Sequence, residues 1–424
     1  MSRRSVTLLI LYTCTLSAAG AADLVPQEEL TLRGALSATL ANYPQSRVYE
    51  FRNEALIGER HTAELRPAMR VSSELENIVG TGDLNWLQGN ELTLSLSQVI
   101  ELGDKRDARV NIVGRRQNFL RAEQKVLELD LLSETALRFI ELAAAEERLT
   151  LLSRATLLAQ DILDSVSERV AAGAAPDSEQ SRAGAALSLA RLAESSASYS
   201  ISAARVRLSS QWGVLEPAFT NTSADLLSIE ATLPIEDLLD NIETNPAIQI
   251  FASEERLRQA ELREADSRRS ANIELGAGIR HLESLNDSAF VLQFSMPLNS
   301  RRRAQGAIST AQANLYAVES ERNLALLQMR ASLIALDQER KLATERVTVL
   351  RDIILPQLSS ALDETQSLFE IGRYSYLELS AAQRELLDAE FNLIEAATRA
   401  HLLRTEMERL SGESLSMTLL RNSQ

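Results

Sequence analysis

Residues Arg115–Ala172 read RRQNFLRAEQKVLELDLLSETALRFIELAAAEERLTLLSRATLLAQDILDSVSERVAA, without one glycine or proline. Leu, Ala, Glu and Arg dominate, and all are strong helix formers. Apolar residues recur at helical spacing: Phe119, Leu120, Leu127, Leu131, Leu132, Phe139, Ile140. At 1.5 Å per residue the stretch makes a helix of roughly 85–90 Å. An ordinary globular domain uses helices of about a dozen residues. A periodic run this long implies a coiled coil, a membrane span or a helical repeat. Arg121, Glu123, Lys125, Glu128 and Asp130 interrupt any apolar span. A long packed rod is left.

The formal net charge is −15 and aromatic residues make up 4% of the chain. An acidic chain repels phosphate, so no nucleic-acid partner is expected. The composition suits long helices. Residues 1–22 read as a secretory signal: Arg3 and Arg4, an apolar stretch Val6–Leu16, then small residues. Cleavage is expected before Ala22 or Asp23. Cys14 is the only cysteine and lies inside this signal; Thr13 is a poor residue to precede a lipidation site. Without the signal the chain has no thiol, which excludes disulfides, thiolate metal sites and cysteine catalysis.

Outward from the rod, Leu30–Arg66 reads as a helix ended by Pro67, with Pro44 near the start of its long part. Arg70–Asn77 and Glu91–Ser97 alternate as half-buried strands do. Ile78–Asn90, with Trp86, reads as a loop. After the long helix ends near Gly173, Pro176 and Asp177 restart a helix that runs to Trp212. From Ile235 the order begins again. Asn42-Tyr43-Pro44 is answered by Thr244-Asn245-Pro246, Lys105-Arg106 by Arg301-Arg302-Arg303, and Gly173 by Gly372. Strands are expected at Asn272–Arg280 and Ala289–Met296, and a second long helix over Ala307–Leu355. The division is therefore signal 1–22, first repeat 23–213, linker or equatorial segment 214–234, second repeat 235–412 and tail 413–424.

Two strands per repeat make only a marginal hairpin in water. Their length matches a tilted membrane strand. Four strands cannot close a useful bore, but three chains supply twelve and remove the open edges that lipid does not tolerate. The expected fold is mainly α with a small membrane β part: a trimeric 12-stranded β-barrel continued by a long α-helical coiled-coil tunnel.

The stretch FEIGRYSYLELSAAQRELLDAEFNLIEA, Phe369–Ala396, resembles the second-repeat helical turn of TolC-like outer-membrane efflux factors. VAAGAAPDSEQSRAGAAL, Val170–Leu187, resembles its first-repeat copy. LSLSQVIELGDKRDARV (Leu94–Val110) and FSMPLNSRRRAQGAI (Phe294–Ile308) are similar to the strand-to-helix junctions of the CzcC-like branch. Asp104 stands where that branch commonly has Gly, and Pro356 has no first-repeat partner. The resemblance implies a homotrimer in the outer membrane of a Gram-negative bacterium with a long periplasmic extension. It implies contact with outer-membrane lipid, a periplasmic adaptor (membrane fusion protein) and, through it, an inner-membrane RND-type pump. Its branch implies heavy-metal cations as cargo. Multidrug or type I protein secretion is the alternative, and a periplasmic helical scaffold or adaptor without membrane insertion is the second.

The adaptor-contacting tip is then expected at Gly173, Ala175, Pro176, Gly372, Tyr374 and Ser375. Glu179 and Glu378 each lie six residues past a tip glycine. With Arg373 they form the expected periplasmic gate, where like charges focus cations. The alternative is two solvated glutamates. Glu101, Lys105, Arg106 and Arg302 mark the barrel-tunnel junction. Trp86 reads as loop packing or an interface aromatic. His61, His281 and His401 lack metal-ligand spacing, so no metal site is expected. Neither a phosphate loop nor a nucleophile elbow occurs, so no catalytic residue, cofactor or enzyme activity is expected.

Overall fold

The computed structural model describes residues 29–78, 89–230 and 233–412. The signal with Cys14, Trp86 and most of its loop, and the tail 413–424 lie outside the described residues.

The organising rod is one helix, α3, Lys105–Ala171, of 67 residues. It starts ten residues before the glycine-free run. Gly114 does not break it, since one interior glycine costs only about 1 kcal/mol against a long favourable window. Asp104 precedes it in the left-handed conformation, φ 55°, which Asn and Asp tolerate best among residues with a Cβ. Asn299 takes the same conformation before α7, Ser300–Val349.

The expected helix over Leu30–Arg66 is corrected. It divides into β1 (Glu29–Leu30), α1 (Leu32–Asn42) and α2 (Ser46–Glu64). Thr31 caps α1 by accepting from Gly34 N. Pro44 holds Tyr43 extended, at ψ 128°, because its ring disfavours the helical conformation before it. The same physics acts at Asn245-Pro246, where Asn245 has ψ 132° and caps α6, Pro246–Ser267. A short α5, Ile235–Asn241, precedes it.

The strands are β2 (Arg70–Glu76), β3 (Glu91–Ile100), β5 (Ile273–Leu282) and β6 (Asp287–Ser295). They form one antiparallel sheet in the order β2-β3-β5-β6. β3 pairs with β5 over ten residues, from Glu91↔Leu282 to Ile100↔Ile273. The two hairpins are thus joined side by side through their inner strands, and β2 and β6 are the edges.

Below the sheet, α3 returns through α4 (Asp177–Ser209). The second long helix is corrected too: it begins at Ser300 and is interrupted. After α7 comes a π-helical segment, Leu350–Ile354, then α8, Leu355–Glu370, with Pro356 in its first turn. Pro356 has no N–H, so a regular i→i−4 bond to the Asp352 carbonyl cannot form. α9, Tyr376–Ser411, completes the second hairpin.

Residues 214–230 form a strap rather than a free linker. Its β4, Asn221–Thr222, pairs parallel with β1. Glu146 accepts from Thr222 N and Oγ1. Leu226 is buried among Ile140, Ala144, Leu393 and Ile394. His401 Nε2 meets Leu226 O at 3.0 Å, and Arg404 pairs with Glu230. The rod has serial cores, not one: Leu36, Phe139, Leu142 and Leu208 pack near the strap, and Val166, Leu362, Phe369 and Leu379 at the far end.

Candidate functional site

The sheet is inside out. On β3, Thr93, Ser95 and Ser97 are buried while Leu92, Leu94 and Leu96 are exposed. The register carries this across all four strands. One face bears Val71, Leu75, Leu92, Leu94, Leu96, Leu275, Ile279, Phe290, Leu292 and Phe294, with no Asp, Glu, Lys or Arg. The other bears Arg70, Glu74, Glu76, Glu91, Glu274, Arg280 and Asp287. The sequence-level expectation of half-buried strands holds with the faces exchanged: it is the hydroxyl face that is covered. In water this arrangement wastes apolar area; against lipid it is the stable one.

On the polar face Arg280 is the hub. It bonds Glu91 at 2.8 Å, Glu76 at 3.2 Å and Thr93 Oγ1 at 2.9 Å. It thereby ties β2, β3 and β5. Gly276 and Gly278 leave that face bare beneath Ser95 and Ser97. A Cβ at Gly278 would lie 2.5 Å from the Leu94 carbonyl oxygen.

The expected barrel-tunnel junction is partly brought together. Glu101 accepts two bonds from the Arg109 guanidinium, Nη2 to Oε2 at 2.9 Å. That pairing holds the Glu101 carboxyl below its usual range. Lys105 Nζ donates to Ser270 O at 2.7 Å and to Asn272 Oδ1. It stitches the start of α3 to the segment entering β5. Burial lowers its pKa. Arg106 only approaches its neighbour Asp107, 3.7 Å, and Arg302 is exposed.

At the far end two turns lie side by side. Gly173 (φ 71°) and Gly372 (φ 75°) adopt the left-handed conformation that closes a helix. Gly372 N donates to Phe369 O at 2.9 Å, and Arg373 N to Leu368 O at 2.9 Å. Arg169, at the end of α3, also donates to Phe369 O, 2.8 Å, and covers the Phe369 ring. α8 has no basic residue in its last turn; Arg169 of the first hairpin supplies it. Pro176, Arg373, Tyr374 and Ser375 are exposed, and Ala175 is partly so.

Glu179 and Glu378 occupy the same position, the third residue of α4 and of α9. Their surroundings differ. Glu378 accepts from Ser375 N (2.8 Å) and Ser375 Oγ (2.9 Å) and closes a capping box. The Ser375 backbone N–H, then its hydroxyl, lowers its pKa. Pro176 cannot cap in this way, and Glu179 Oε2 is buried without a hydrogen-bond partner.

Residues 65–214 match the family described as "Outer membrane efflux protein". That stretch runs from the entry to β2 through the α3–α4 hairpin. The chain is 25% identical over 327 residues to the cobalt-zinc-cadmium resistance protein CzcC of Cupriavidus metallidurans, across 76% of this chain and 77% of that one. It is 28% identical over 254 residues to the nickel-cobalt-cadmium resistance protein NccC of Alcaligenes xylosoxydans xylosoxydans, across 58% and 57%.

Over residues 65–214 the chain is similar to outer membrane efflux proteins.

The fold of the chain is similar to that of the outer membrane protein VceC from Vibrio cholerae: TM-score 0.66 at 17% identity, over 90% of this chain and 96% of that one. An outer membrane efflux protein is a conduit, not an enzyme. Among the described residues no helix is long and apolar enough to cross a membrane, and no group of three His, Cys, Asp or Glu could hold a metal ion. His281 sits beside Glu283 and Ser288; His401 serves the strap. Sequence reading missed Arg169, Arg280 and the His401–Arg404 clamp. Their partners lie 174–204 residues away, and no local spacing announces such pairs.

Proposed function

We propose that this chain is the outer-membrane channel of a tripartite pump-adaptor-channel system and a passive conduit for heavy-metal cations. The observation that carries it is the inverted sheet. Four strands with all charge on one face and none on the other suit a barrel wall between lipid and water. β2 and β6 are unpaired edges, which lipid does not permit. Three copies joined edge to edge give twelve strands and a closed barrel, with the long helices continuing it into the periplasm. The relatives CzcC and NccC are named for cobalt, zinc, cadmium and nickel resistance, which supports cations as cargo.

The channel holds no dedicated metal site in this reading. Tight binding slows exit, and specificity belongs to the RND-type pump. The tip residues Gly173, Ala175, Pro176, Gly372, Tyr374 and Ser375 meet the periplasmic adaptor. Adaptor binding shifts the tip from closed to open, provided it binds the open form better. In this reading Glu179, Glu378 and Arg373 line the gate. Of the two, Glu378 is the exposed carboxylate, and Glu179 holds one oxygen buried without a hydrogen bond. Residues 23–213 and 235–412 act as the two repeats, with 214–234 as the equatorial segment.

The test is deletion of the gene followed by challenge with cobalt, zinc, cadmium and nickel, and separately with organic toxicants. Sensitivity to the metals is expected. Sensitivity to organic compounds alone would move the conduit to multidrug or secretion work. Glu179→Ala with Glu378→Ala should change the conductance or cation preference of the reconstituted channel.

A further inference from the structure

The helices of one copy form an open wall. α2, α4, α6 and α9 pack against α3, and α7 packs against α6 and α9. The outer members, α4 and α7, each carry an apolar stripe that stands exposed among the described residues. On α4 it is Leu189, Leu192, Tyr199 and Val206, with Tyr199 76% exposed. On α7 it is Leu324, Leu327, Ile334, Leu342 and Val349, with Leu327 66% exposed. The spacings are 3, 7 and 7 on α4 and 3, 7, 8 and 7 on α7, the repeat of a coiled-coil seam.

The upper end of the α4 stripe is level with the lower end of the α7 stripe. The Arg169–Phe369 bond fixes both turns at the same height. Tyr199 lies 23 residues after Pro176, and Val349 lies 23 residues before Gly372. At 1.5 Å per residue both sit about 35 Å above the tip. Val206 and Leu342 are likewise each 30 residues from those markers. At the Val349 level α7 and α9 part into a groove of about 1020 Å³, lined by Leu342, Val349, Leu350, Ile354, Ala396 and Leu402 among others. The π-helical segment forms its lower wall. The charges also complement: exposed Arg207 on α4 and exposed Glu345 on α7 fall within about one turn of the same height.

We infer that the groove is the seat of Tyr199 from a second copy of this chain. Tyr199 and Val206 of one copy pack along Val349 and Leu342 of the next, head to tail, and Tyr199 is the anchoring knob. A heterologous contact of this kind closes into a ring when its rotation permits. The inference rests on the proposed ring of copies and adds its register and its anchor.

The chain offers a clean test, because Cys14 is its only cysteine. With Cys14→Ser, the double variant Tyr199→Cys, Val349→Cys is oxidised mildly in membranes and run on a denaturing gel. Covalent dimers and trimers are expected, and neither single variant should give them. Cα atoms must come within about 7 Å for this bond. A pair displaced by seven residues, Leu192→Cys with Val349→Cys, should stay uncrosslinked. If the displaced pair links and the level pair does not, the seam is wrong. The mass of the purified protein in detergent separates the two readings. A three-chain particle without the level crosslink overturns the seam alone. A one-chain particle overturns the ring as well.

Discussion

Arg169 donates to the carbonyl oxygen of Phe369 at 2.8 Å and stands 4.4 Å above the centre of its ring. The contact joins the last turn of one hairpin to the last turn of the other. Phe369 is 2% exposed, so the bond is made at the edge of a packed cluster.

Arg169→Gln should loosen the tip without unfolding the chain. A charge-assisted bond of this type is worth about 1.5–3 kcal/mol. Amide exchange over residues 366–378 should therefore quicken about ten-fold or more, with the strands unchanged. Equal protection in the variant would show that the contact carries no load.

Asn245→Ala should cost about 2–4 kcal/mol, from one cap and two buried carbonyl bonds. Asn245 accepts from Ala247 N and donates to Arg409 O and Leu410 O. It is 1% exposed. A lowered thermal midpoint in detergent is the expected reading, and a loss near zero would contradict the assignment.

Gly278→Ala should prevent β3–β5 pairing. The added methyl would lie 2.5 Å from Leu94 O and 2.8 Å from Ser95 Cβ. Backbone at that distance cannot yield without breaking the ladder. Gly276→Ala, with contacts of 3.2 Å, should be milder. Surface yield of heat-resistant protein in the outer membrane ranks the two variants.

His401 gives stability a pH dependence. Burial lowers its pKa below the ordinary imidazole value near 6.5. Leu226 O accepts from it, Glu230 and Asp225 on the strap favour its proton, and Arg404 opposes it. The folded chain therefore binds fewer protons than the unfolded chain in that window. The contribution is fully present above about pH 6.5 and is lost as pH falls through the folded pKa. His401→Gln keeps a donor for Leu226 O and should flatten the slope of unfolding midpoint against pH between about 5 and 7. An unchanged slope would place the titration elsewhere.

The long helices, the four strands and the tip glycines were legible because each is written locally. Leu92, Leu94 and Leu96 declare a period of two whichever face is wet. Which face is wet was legible only as an argument about lipid, since alternation reads the same both ways. The break at Tyr43-Pro44 was hidden because Pro44 also suits a helix start. The equivalence of Glu179 and Glu378 was visible as spacing. Their inequality was not, because it turns on a neighbour three residues back, Pro176 in one hairpin and Ser375 in the other.

The π-helical segment Leu350–Ile354 has a meaning for phase. One surplus residue in a helix turns every later side chain by about 100° about the axis. α7 and α8 are thus one rod that presents one stripe above the segment and another below it. The first long helix, α3, runs 67 residues with no such step and keeps a single bearing throughout. The two helical hairpins thereby become two walls that cannot exchange places.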